Sequence, residues 1–103
     1  MLLRSQQQIR CNRAMADLWN AYIEVSFSTS PSLREFIDQV LAGKHGSFSK
    51  AEIVEFLRKM EAAIHSNIEL MAEANPSVAS LAEGNKKETS DEISRLIDLV
   101  KSR

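Results

Sequence analysis

From Lys50 to Ala74 the chain reads KAEIVEFLRKMEAAIHSNIELMAEA, with neither glycine nor proline to interrupt it. As a helix this run is about 37 Å long at roughly 1.5 Å per residue, and everything else in a small chain must be arranged around such a rod. Ile53, Phe56, Leu57, Met60, Ile64, Ile68 and Met71 fall within about a 120° arc when placed at 100° per residue, so one side is committed to burial. Val54 and Leu70 lie outside that arc. Asn67 lies inside it, roughly 40° from the centre. An Asn in an apolar seam can fix register by pairing with its symmetry mate, or it can bond locally at the edge of a core.

Both ends of the run are punctuated. Ser49 and Glu52 have the spacing of a reciprocal cap, in which each side chain satisfies a free amide of the first turn, and Phe48 is placed to fold onto Ile53. At the far end Asn75-Pro76 ends or bends the helix, because the proline ring disfavours a helical residue before it.

The remaining segments read as shorter helices. The first spans about residues 3 to 25, with Cys11, Met15, Leu18, Tyr22 and Val25 on one face, Trp19 and Ile23 widening it, and residues 1–8 as a fraying end. The stretch SFSTS at 26–30 is rich enough in hydroxyls to predict a loop, with Phe27 as its adaptable contact residue. Ser30 or Ser32 caps a second helix, Ser32 with Glu35 repeating the reciprocal spacing. Leu33, Phe36, Ile37, Val40 and Leu41 supply its face, and Gly43 its left-handed stop. After Pro76 a brief helix, PSVASLAE, is expected to stop at Gly84. A polar loop, NKKE, then leads to a third cap at Thr89 and Glu92 and a last face of Ile93, Leu96, Ile97 and Val100.

These patterns predict an all-α protein, a four- or five-helix bundle forming a single domain over 1–103 and built around the helix at about 49–74. The 103 residues carry 13 Lys and Arg against 14 Asp and Glu, and a net charge of -1 offers no global attraction to polyanions or anionic membranes. The single Cys11 cannot form an intramolecular disulfide, and the opening MLLRSQQQIR lacks the apolar run of a signal peptide. No apolar stretch approaches the roughly 20 residues of a membrane span. A soluble, cytoplasmic protein is the expectation.

Gly43-Lys44-His45-Gly46 resembles the Gly-x-x-Gly loop with which the KH family clamps a single-stranded backbone. A KH fold needs a three-stranded sheet, and no flanking segment reads as strand, so the stretch is expected to be a packed corner. A helix-turn-helix fits poorly as well. Gly43 to Phe48 exceeds the usual turn of about three or four residues, and Glu52 and Glu55 would lead the following helix toward phosphates. The nucleic-acid alternative therefore rests on a local basic patch of Arg10, Arg13, Lys44 and His45, with Arg4 nearby in sequence.

Signals for catalysis are sparse. Cys11 sits on an apolar stripe, where a thiol is an inert core group rather than a nucleophile. Glu61, His65 and Glu69 follow one another at i, i+4 and i+8, but the outer two are about 12 Å apart along a helix at 1.5 Å per residue, too far to share an ion. No catalytic, cofactor-binding or metal-binding residue is assigned, and no enzymatic activity or cofactor is expected. Short neighbours cannot cover the whole 37 Å stripe of the long helix, and large exposed apolar patches are uncommon on monomers. The functional expectation is a small non-enzymatic regulator of anti-activator or adaptor type that occludes a surface of a protein partner and self-associates as a homodimer. Trp19, Tyr22, Phe27, Met60, Ile64, Asn67 and Met71 are the candidate interface residues.

Overall fold

A computed structural model describes the backbone of residues 6–103 and the side chains of residues 13–103. The readings made for the side chains of Arg4, Arg10 and Cys11, and for the fraying of residues 1–5, lie outside the described residues. The protein is all-α: α1 (Gln6–Ser28), α2 (Leu33–Leu41), α3 (Lys50–Ala74), α4 (Pro76–Ala79) and α5 (Ala82–Ser102), with no strand among the described residues. The chain divides into two compact units, Met1–Phe56 and Leu57–Arg103, and α3 belongs to both.

In the first unit the buried side chains are Ala14, Met15 and Leu18 of α1, Phe36, Ile37 and Val40 of α2, and Ile53 and Phe56 from the start of α3. Their spacing is that of three amphipathic helices turning one face each toward a common centre. An aromatic cluster lies at the middle. Trp19 meets Phe56 edge-on at 5.1 Å, Tyr22 meets Phe36 edge-on at 5.2 Å, and Phe36 lies 5.9 Å from Phe56. Edge contacts suit the ring quadrupole and add to what burial alone contributes.

α1 continues past the expected end at Val25 and takes in Ser26, Phe27 and Ser28, which corrects the loop expected over 26–30. The hydroxyls do not compete with the helix here. They join it, Ser28 Oγ donating to the Glu24 carbonyl at 2.8 Å and Ser30 Oγ to the Ser26 carbonyl at 2.9 Å. Ser30 then ends the run with φ of 47°.

Ser32 caps α2 by accepting the Glu35 amide at 3.2 Å, while its hydroxyl donates to the Glu35 carboxylate at 3.3 Å. The return arm of the expected cap is thus made by the hydroxyl, not by the Ser32 amide. At α3 the reciprocal cap is complete. The Ser49 amide donates to Glu52 Oε1 at 2.7 Å and the Glu52 amide to Ser49 Oγ at 3.1 Å. Between the two helices Gly43 and Gly46 take φ of 81° and 114°, left-handed values that a side chain resists.

In the second unit the buried side chains are Leu57 and Met60 of α3 and Ile93, Leu96, Ile97 and Val100 of α5. Pro76 separates helices rather than kinking one. Asn75 is extended, with φ -139° and ψ 93°, and its side chain accepts the Ser77 amide at 3.2 Å, so that Pro76 occupies the first position of α4.

The last helix departs most from expectation. Gly84 is not a stop but lies in the first turns of α5, and Asn85 to Glu88 is helix instead of loop. Thr89 is therefore no cap. Its hydroxyl donates to the Asn85 carbonyl at 3.0 Å, one turn back along a continuous helix. Local and tertiary contacts both favour helix here: Lys and Glu are strong helix formers, Lys87 pairs with Asp91 one turn on at 3.0 Å, Lys86 Nζ meets Glu69 at 2.8 Å, and His65 Nε2 reaches the Lys86 carbonyl at 3.1 Å.

Candidate protein-binding surface

The long helix changes character along its length. Ile53, Phe56, Leu57 and Met60 are buried, Ile64 and Ile68 are half-buried, and Leu70 and Met71 are 63% and 56% exposed. All but Leu70 belong to the same apolar arc, so the difference comes from what lies opposite. The contacts of His65 with Lys86 and Ser90, and of Glu69 with Lys86, set an antiparallel register in which later residues of α3 meet earlier residues of α5. The apolar face of α5 begins only at Ile93. Beyond His65, α3 meets the polar front of α5 and the single turn of α4, and neither has enough apolar side chain to cover it.

What results is a shallow groove of about 150 Å³ lined by Ile68 and Met71 of α3, Val78 of α4, and Leu81, Ala82 and Asn85. Leu81, at 59% exposure, stands at its border. Asn67 is exposed, and its amide lies 3.9 Å from the Met71 sulfur, so it belongs to the rim of this surface and not to a core. Met60 is 4% exposed and is a core residue, Ile64 is half-buried, and Met71 is exposed and lines the groove.

A second apolar surface lies on the first unit, where Tyr22, Ile23, Ser26 and Phe27 border a groove of about 200 Å³. Phe27 is 90% exposed. Trp19 and Tyr22 are half-buried and spend one edge each on the aromatic cluster, leaving the rest at the surface. The structure thus places Trp19, Tyr22 and Phe27 on one unit, and Ile64, Asn67 and Met71 on the other. Leu70 and Leu81 were not anticipated as surface residues. The signal for Leu70 was available, since it falls off the arc that α3 buries.

The Gly43-Lys44-His45-Gly46 corner has the geometry of a packed turn. His45 Nε2 donates to Gln39 Oε1 at 2.8 Å, and its ring lies 5.3 Å from that of Phe36. The imidazole faces the helices instead of solvent, while Lys44 is exposed. Of the nucleic-acid candidates, Arg13 and Lys44 are exposed on the first unit, and the side chain of Arg10 is outside the described residues.

One polar cluster joins α3 to α5. His65 Nε2 lies 3.1 Å from both the Lys86 carbonyl and Ser90 Oγ. A carbonyl can only accept, so this nitrogen carries a proton and donates. It is not available to take a proton from Ser90, and the pair is a structural contact in this arrangement. Lys86 Nζ donates to Glu69 at 2.8 Å and lies 3.6 Å from Glu83. The hydrogen bond from Lys86, and then its charge, hold the Glu69 carboxyl below the usual carboxylate range; the same bond raises Lys86. Glu61 lies 3.6 Å from Arg58, and among the described residues no three His, Cys, Asp or Glu side chains gather as a metal site would require. No helix of the described residues is long and apolar enough to cross a membrane.

Comparison with protein-family models, with curated proteins and with solved structures gave no match to this chain.

Proposed function

We propose that the chain is a small non-enzymatic regulator, of anti-activator or adaptor type, that works in the cytoplasm by laying an apolar helical surface on a protein partner and so occluding it. The observation that carries this reading is the outer part of α3, where Met71 and Leu81 are exposed at a groove lined also by Ile68 and Val78, and Leu70 is exposed on an adjoining side of the helix. Leaving such side chains in water is unfavourable by roughly 25 cal/mol per Å² of apolar surface, and covering them is the simplest use for them. The same surface serves self-association, in which the two copies of Asn67 at the rim set the register of the pair. Methionine suits the role, because its flexible thioether adapts to more than one partner shape.

The test is a nuclease-treated pull-down with the tagged chain and with its Met71→Asp variant, from the cell that makes it. A protein recovered in stoichiometric amount by the parent and lost by the variant is the expected result. Recovery that collapses on nuclease treatment, and that weakens with salt and with Lys44→Glu, would replace this reading with nucleic-acid binding through the basic patch.

A further inference from the structure

α5 is held in two different ways along its length. Between Ile93 and Val100 four side chains are buried, each 3% exposed or less. Between Ala82 and Glu92 none is buried, and the only half-buried ones are Ala82, Lys86, Thr89 and Ser90. What ties this front portion to α3 is the polar cluster: His65 to the Lys86 carbonyl and to Ser90, and Glu69 to Lys86. Gly84 weakens the same portion further, since a glycine in a helix loses the most backbone freedom on folding and nothing lies within 4 Å of where its Cβ would be. Upstream, α4 is a single turn preceded by an extended Asn75.

We infer that residues 75–90 form a lid on the outer half of α3, latched by the His65, Lys86, Ser90 and Glu69 cluster, and that the lid opens locally while residues 93–100 stay packed. Regions with few buried apolar contacts and solvent-exposed hydrogen bonds open at lower free energy than the core beside them. Val78, Leu81, Ala82 and Asn85 of the closed lid share one groove with Ile68 and Met71, so opening uncovers more of this apolar face of α3. The latch thereby controls how much of α3 is accessible, whether or not a partner binds there.

Hydrogen exchange of the intact chain tests this directly. Backbone amides of residues 86–90 are expected to exchange faster than those of 94–100. His65→Ala, which removes the one Nε2–H shared between the Lys86 carbonyl and Ser90 Oγ, should accelerate the 86–90 amides about fivefold and leave 94–100 unchanged, given the usual net worth of one hydrogen bond. Simple fraying of a helix end also gives the first gradient but is indifferent to His65, so the variant separates the two. Should His65→Ala fail to fold, Glu69→Gln, at an exposed position, provides the same selective comparison with a smaller expected rise. Uniform protection across 86–100 would overturn the latch, as would a folded variant with unchanged exchange in 86–90.

Discussion

The two halves of α3 carry the same apolar repeat and meet different fates. In the first half Ile53, Phe56, Leu57 and Met60 are buried; in the second, Ile64 and Ile68 are half covered and Met71 is open. An amphipathic stripe records that a helix wants cover, not that cover is present. In the second unit the cover runs out where the apolar face of α5 begins, at Ile93, and the antiparallel register set by His65, Lys86 and Ser90 puts that boundary beside the middle of α3. Burial is concentrated in one half of the helix, and exposed apolar surface in the other.

This contrast is sharpest under truncation. Phe56→Ala removes a fully buried ring that also meets Trp19 and Tyr22, and should cost about 3 to 5 kcal/mol in urea unfolding. Met71→Ala, measured at concentrations where the chain is monomeric, should change stability by no more than about 0.5 kcal/mol. Comparable losses at the two positions would show that the halves are not distinct.

A smaller effect tests the lid end of α5. With Gly84 inside a helix and space around its Cβ position, Gly84→Ala should stabilise the protein by about 0.5 to 1 kcal/mol through helix propensity. Were Gly84 the left-handed stop that the sequence suggests, the same change would destabilise.

The smallest expected effect is electrostatic. The Glu69 carboxyl is depressed by Lys86, so the stability it contributes is present above the ordinary carboxylate range and is lost as pH falls through that range and below. Lys86 is raised by the same bond, so its contribution is present below the ordinary lysine range and is lost as pH rises through its elevated value. Both groups reach solvent, which keeps the effect modest. Titrating Glu69 by NMR in Lys86→Met should show its carboxyl moving up toward the ordinary range; an unmoved titration would remove Lys86 as the cause.

Much of this architecture was legible in the sequence. Ser49 with Glu52, Ser32 before Glu35, Gly43, and Pro76 after Asn75 each mark a boundary through local backbone chemistry, and local chemistry is what a sequence displays. Two readings failed, one for a local reason and one with tertiary contacts added. SFS is helical, the Ser28 hydroxyl bonding one turn back within α1, and Gly84 to Glu88 is helical with Lys86 and Lys87 paired along the helix to Glu83 and Asp91 and with His65 and Glu69, far away in the chain, meeting Lys86. The candidate surface was legible in part. Met71 and Ile64 could be placed on the stripe of α3, but that Met60 lies inside and Met71 outside depends on the register of α5, which no local pattern encodes. The late start of the α5 face at Ile93 was the available clue.

The most direct test of the outer half of α3 as an association surface is the mass in solution by light scattering across a range of concentrations. The parent chain should rise from 11.6 kDa toward twice that value, and Leu70→Asp with Met71→Asp should hold it at 11.6 kDa while the helical circular dichroism signal is retained. A parent that stays at 11.6 kDa at every concentration, or a folded double variant that still doubles, would contradict the account.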